Sequence, residues 1–175
     1  MFEEYLKDAH FFLTKAIDES EIELSQRYYR VSIFCELCAI ESYVNYIAQP
    51  LELAEVMNTH ETAFLLEKKV ELIGDKFEII DKMQFQKLED KLRFLIIRFD
   101  KTFDFEKNPC WPRFMELKRK RDELTHPRHD KDDTSVSSYE RISKNGLNAI
   151  IEIINRLSTA IFKRGLRKQI LDLIF

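Results

Sequence analysis

Breakers of regular structure are scarce in this chain of 175 residues, which holds three glycines and four prolines. With no sustained alternating run of valine, threonine and tyrosine either, the sequence argues for long helices and against a sheet. Three glycines cannot build the phosphate loops of nucleotide enzymes or a nucleophile elbow. None of G-x-x-x-x-G-K-S/T, G-x-G-x-x-G, G-x-S-x-G or H-E-x-x-H occurs. Any catalysis must therefore rest on arginine, histidine and carboxylates. Cysteine is sparse as well: three thiols and no export signal suggest a reducing cytoplasm. The start, Met-Phe-Glu-Glu-Tyr, has neither a basic leader nor an apolar run, and no stretch reaches roughly eighteen consecutive apolar residues, so neither a signal peptide nor a membrane partner is expected.

What is present is 45% hydrophobic and 34% charged, the balance of a folded chain that is neither disordered nor membrane-embedded. Without an internal repeat, low-complexity run or linker, one domain over residues 1–175 suffices. Apolar residues at i, i+3 and i+4 predict an amphipathic helix over 2–17. A second helix should run to about Ala48 and stop at Pro50; its stretch over 31–47 is apolar on most faces, which marks the central helix of a bundle. A third helix is expected over 60–73 with Gly74 ending it, and a fourth over 84–99, whose Phe85, Leu88, Leu92 and Leu95 read as packing surface. A last long helix should cover 137–163, followed by a short amphipathic tail. The fold class is thus all-α, a bundle of about five to seven helices.

Charge is concentrated in one place. Between Arg113 and Arg128 stand six cations (Arg113, Lys118, Arg119, Lys120, Arg121 and Arg128) and three anions (Glu116, Asp122 and Glu123), a local net of +3 in a chain of net −3. A positive island on an acidic protein is a docking place for an anion, and a phosphate backbone is the common anion that needs several cations at once. Phe114, Leu117 and Leu124 recur at helical spacing, Pro112 suits a first turn, and Pro127 should close the helix at about Thr125 or His126. His126 then sits at a helix carboxyl end, where the macrodipole favours a protonated imidazole. Arg121 lies five residues earlier, so on an ideal helix the two side chains point about 140° apart. They converge only if the helix unwinds at Pro127 or a second copy supplies the other wall.

Arg121-Asp122-Glu123-Leu124-Thr125-His126, followed by Pro127-Arg128, resembles the R-x4-H signature of the HEPN superfamily of all-α proteins. Ala39-Ile40-Glu41-Ser42-Tyr43-Val44-Asn45 is similar to a stretch on an earlier core helix of many HEPN-like proteins. The resemblance implies a small helical bundle, usually a homodimer, in which motif helices of two protomers form a composite site. It also implies metal-independent endoribonuclease activity in catalytic members, often toxins of toxin–antitoxin or defence systems, and binding of RNA or nucleotides in the others. Arg121 and His126 would be the catalytic pair. Asp122 would support them. Glu36, Glu41 and Asn45 interrupt the apolar second helix and must face solvent or meet cations; Glu41 and Asn45, one turn apart on one face, either pair with the motif helix and orient Arg121 or form a partly exposed edge of their helix. Lys118, Arg119, Lys120 and Arg128 would hold flanking phosphates.

Three readings stay open at this point. The chain cleaves RNA, or it binds RNA or a nucleotide without cleaving, or it is a toxin-like subunit held by an antitoxin partner, which the resemblance implies to be a minimal nucleotidyltransferase. No cofactor and no metal are expected. His126, His129, Asp130, Asp132 and Asp133 match no ligand spacing, and Cys35-x-x-Cys38 has no second pair, so those two thiols read as small apolar residues of a buried helix. Trp111, beside Pro112, reads as a packing residue, and His60 as an exposed or capping one.

Overall fold

The computed structural model describes residues 1–126 and 135–175. Seven helices and one β-hairpin make up the described residues, an all-α architecture with 69% helix. Helix α1 (Phe2–Asp18) buries Leu6, Ala9, Leu13 and Ala16 at the predicted spacing. It lies along α2 (Ile22–Leu53), and two serines of α2 stitch the seam: Ser25 donates to the Ala16 carbonyl at 2.8 Å and Ser32 to that of Ala9 at 2.9 Å. Alanines on α1 allow that close approach because no larger side chain separates the helices.

The second helix does not stop at Pro50 but continues through it to Leu53. A proline this near a helix end forfeits one backbone hydrogen bond. The next residue, Leu51, is buried, and Ala54 N–H reaches the Pro50 carbonyl at 3.0 Å, so packing and the last turn offset the loss. By length and composition α2 is the one helix among the described residues apolar enough to cross a membrane, and 56% of its most apolar window is buried inside the bundle.

The expected helix over 60–73 breaks in two. Helix α3 (Thr59–Leu66) opens with a capping box between Asn58 and Glu61 and ends where Glu67 turns left-handed at φ 55°. Strands β1 (Lys68–Ile73) and β2 (Lys76–Met83) then pair antiparallel, with Val70 opposite Ile79 and Leu72 opposite Phe77. Gly74, at φ 66°, begins a two-residue connection suited to the twist of a hairpin. Gly74 thus makes a turn between strands, not a helix end. Helix α4 (Leu88–Phe99) starts later than predicted, which leaves Phe85 outside it.

Helices α5 (Cys110–Thr125) and α6 (Val136–Phe162) pack against each other and against α2, and α7 (Lys168–Leu171) closes the chain. Arg141 of α6 grips both carboxylate oxygens of Glu116 on α5, at 2.9 and 2.7 Å. Trp111 packs edge-on to Phe105 at 5.0 Å and against Phe114 at 5.5 Å, so it anchors α5 to the preceding loop. His60 meets the Phe77 ring at 5.1 Å.

At the centre of the bundle sits a carboxyl group. Glu36 on α2 is fully buried, its Oε1 accepts from the Ser143 hydroxyl of α6 and lies 3.0 Å from that of Ser32, and its Oε2 has no partner. Burial pushes the group up to about 8, against the smaller opposing effect of the two serines. It is therefore mostly neutral at pH 7. Gly146 on α6 makes the room, since a Cβ there would stand 2.6 Å from Glu36 Oε2 and 2.8 Å from Leu117.

Candidate functional site

Helix α5 is positioned from one face. Cys110, Phe114, Leu117 and Lys120 fall at helical spacing and are buried, which turns Arg113, Arg119 and the Arg121 edge outward. Its carboxyl end is closed by Thr125, whose hydroxyl donates to the Arg121 and Asp122 carbonyls at 3.2 and 3.0 Å. His126 then leaves helical geometry at φ −132° and ψ 66°, with its N–H on the Asp122 carbonyl at 2.9 Å. Its imidazole is exposed.

Arg121 lines a cleft of about 430 Å³ together with Glu41 of α2, Lys118 and Asp122 of α5, and residues from the α3 end to α4. Its Nε lies 3.1 Å from Asp122 Oδ1, within ion-pair distance but without hydrogen-bond geometry, so this buried N–H has no partner. Lys118 joins the same carboxylate at 3.0 Å and Glu89 at 3.5 Å. Burial works to lower the Lys118 pKa, but Asp122 and Glu89 outweigh it and hold the ammonium above the usual lysine range. On the far wall Lys91, almost wholly buried, pairs with Glu67 at 3.0 Å. Four carboxylates (Glu41, Glu67, Glu89 and Asp122) thus face four cations (Lys87, Lys91, Lys118 and Arg121), and the cleft is close to neutral.

Glu41, Lys118, Arg121 and Asp122 are therefore brought together; His126 and Asn45 do not line that cleft. Glu41 and Asn45 are exposed, and the ion partner of Arg121 is Asp122. Of the carboxylates interrupting α2, the buried one is Glu36, whose Oε1 meets serines and no cation and whose Oε2 has no partner.

The island of cations needs correction as a phosphate rack. Lys120 is buried: its ammonium lies 4.8 Å from the centroid of the Tyr139 ring and 3.4 Å from Glu123, so it braces α5 on α6 and is closed to a phosphate. Lys118 is held in the cleft by two carboxylates, and Arg119, exposed, reaches Glu123 at 3.6 Å. Helical i, i+3 and i, i+4 spacing, which placed acids beside these bases, compensates most of the local charge. Pro127 and Arg128 lie outside the described residues, as do His129, Asp130, Asp132 and Asp133 of the considered metal set.

Several residues of the site have no linear signal. Glu67, Glu89 and Lys91 join it only through folding. Phe85, expected to pack on α4, is 77% exposed at the cleft mouth. Cys35 and Cys38 are half-buried free thiols, and burial pushes Cys35 up to about 11. No protein-family model, no curated protein and no solved structure matches the chain.

Proposed function

We propose that this protein is a metal-independent endoribonuclease that works as a homodimer, the two α5 ends forming one composite Arg/His site. The observation that supports the reading best is the end of α5. An exposed imidazole at the helix terminus stands five residues beyond a guanidinium that faces a cleft, is steadied by a neighbouring carboxylate, and keeps an unpartnered N–H. Each side chain alone is half a site, and a second copy supplies the other half.

In that dimer His126 takes the proton from a ribose 2′-hydroxyl, the 2′-oxygen closes on the adjacent phosphorus, and the P–O5′ bond breaks to leave a cyclic phosphate. The His126 of the second protomer gives a proton to the departing 5′-oxygen, and Arg121 balances the charge gathering on the phosphate. Positioned proton transfer supplies about 10²–10⁴ in rate. Because Lys118 and Lys120 are engaged internally, Arg113 and Arg119 are the exposed flanking cations of α5 among the described residues, and the salt dependence of binding should be shallow.

A second reading, an interaction subunit held by an antitoxin, is favoured by apolar side chains exposed on α1 and α2, among them Phe11, Val31 and Phe34. One experiment separates the two. As the protein is diluted, RNA cleavage should follow the dimer fraction measured by sedimentation; cleavage by a chain that stays monomeric, or a dimer with no cleavage, goes against the proposal.

A further inference from the structure

Near the carboxyl end of α6, whose amino end carries the Tyr139 that meets Lys120 of α5, lies a second and larger pocket. It measures about 710 Å³ and sits between the start of α1, the latter half of α2 and the residues after α6. That is within the roughly 300–1,000 Å³ usual for small-molecule sites.

Four aromatic rings line it: Phe2, Tyr43, Tyr46 and Phe162. Phe2 meets Tyr43 edge-on, centroids 5.2 Å apart, and lies 5.8 Å from Tyr46 at a tilt of 45°. A 2.9 Å hydrogen bond between the Tyr43 and Ser158 hydroxyls fixes the pocket wall. These contacts leave ring surface uncovered, with Tyr46 60% and Phe162 43% exposed.

The rim is cationic. Arg167 is tied to Glu3 at 3.0 Å, and Glu4 to Lys7 at 2.8 Å, so both carboxylates near the pocket are already neutralised. Arg164 has no hydrogen bond or ion partner among the described residues. Its backbone is nevertheless held. Lys163 ends α6 in a left-handed turn, a Cβ at Gly165 would fall 2.6 Å from Asn155 Oδ1, and that same oxygen accepts the Leu166 N–H at 2.8 Å.

We infer that this pocket binds a small planar aromatic anion, its ring against Tyr46 and Phe162 and its charged group on Arg164. Aromatic faces favour a flat apolar body over an aliphatic one, and a guanidinium without a partner favours a carboxylate, phosphate or sulfonate, which it can meet with two parallel hydrogen bonds.

The test uses two fluorescent probes on the full chain: anilinonaphthalene sulfonate, and phenylnaphthylamine, which has the same rings without the anion. The sulfonate should bind saturably, about tenfold more weakly in each of Arg164→Gln and Tyr46→Ala, and unchanged in Phe85→Ala at the other cleft. The neutral probe should bind more weakly than the sulfonate and be indifferent to Arg164→Gln. Sulfonate binding that is absent, that survives Arg164→Gln, or that falls equally in Phe85→Ala overturns the inference, circular dichroism having shown each variant folded.

Discussion

Asp122 divides its carboxylate between two cations: Oδ1 stands 3.1 Å from Arg121 Nε, and Oδ2 takes Lys118 at 3.0 Å. The guanidinium is thereby steadied at the cleft without being consumed, since its Nε–H keeps no hydrogen-bond partner. Asp122→Asn keeps the shape and removes the charge that positions Arg121. RNA cleavage should fall about 10–100-fold, while thermal stability hardly moves, because a part-exposed pair of this kind contributes only about 0–1 kcal/mol. Both are read by a turnover assay beside a melting curve.

A neutral cleft cannot gain most of its affinity from phosphates, so contact with bases should matter more. Phe85, exposed at the mouth of the cleft that holds Arg121, is placed to stack an unpaired base. Phe85→Ala should weaken binding of a short single-stranded RNA by about 1–3 kcal/mol, and Phe85→Trp should restore it. Equal affinities of all three proteins in fluorescence anisotropy would remove Phe85 from the site.

Glu36 gives the fold a pH signature whose sign follows from its raised pKa. The folded state holds a proton on this carboxyl up to about 8, whereas the unfolded chain releases it near the ordinary glutamate value. Between those two values the unfolded state binds fewer protons, so the group's stabilising contribution is present at low pH and is lost as pH rises towards 8. Glu36→Gln should flatten that decline and be more stable than the parent at pH 8.5 than at pH 5, measured by denaturant melts across the range.

Gly146 is small because Glu36 and Leu117 need its space. With a Cβ at 2.6 Å from Glu36 Oε2 and 2.8 Å from Leu117, Gly146→Ala must push α5 or α6 outward. We expect a loss of about 1–3 kcal/mol, the usual cost of overpacking. A melting temperature at or above the parent's would contradict this account of the centre.

Helix periodicity made most of the fold legible, because burial on one face of α1, α5 and α6 leaves a pattern that does not depend on distant partners. The hairpin was hidden for a local reason. Phe64, Leu65, Leu66, Val70 and Ile73 satisfy helical spacing, and Gly74 serves a helix end as well as a turn; the Gly-Asp step with alternating Phe77, Ile79 and Asp81 after it was the signal for strands. Pro50 misled because a proline's cost depends on how many turns follow it. In the site, the α5 end was readable because a helix end is set by sequence neighbours, here Thr125 on the Arg121 and Asp122 carbonyls. The neutralised cations were not, since nothing in Lys120 itself distinguishes an ammonium on Tyr139 from one in water, and Glu89 meets Lys118 only after folding.

The central claim is that Arg121 and His126 cleave RNA without a metal, and it is tested most directly by incubating single-stranded RNA with the purified protein in excess chelator. The account predicts cleavage to cyclic-phosphate ends by the parent, and none above background by His126→Ala or Arg121→Ala at equal dimer content. Intact RNA with the parent, or identical cleavage by His126→Ala, would contradict it.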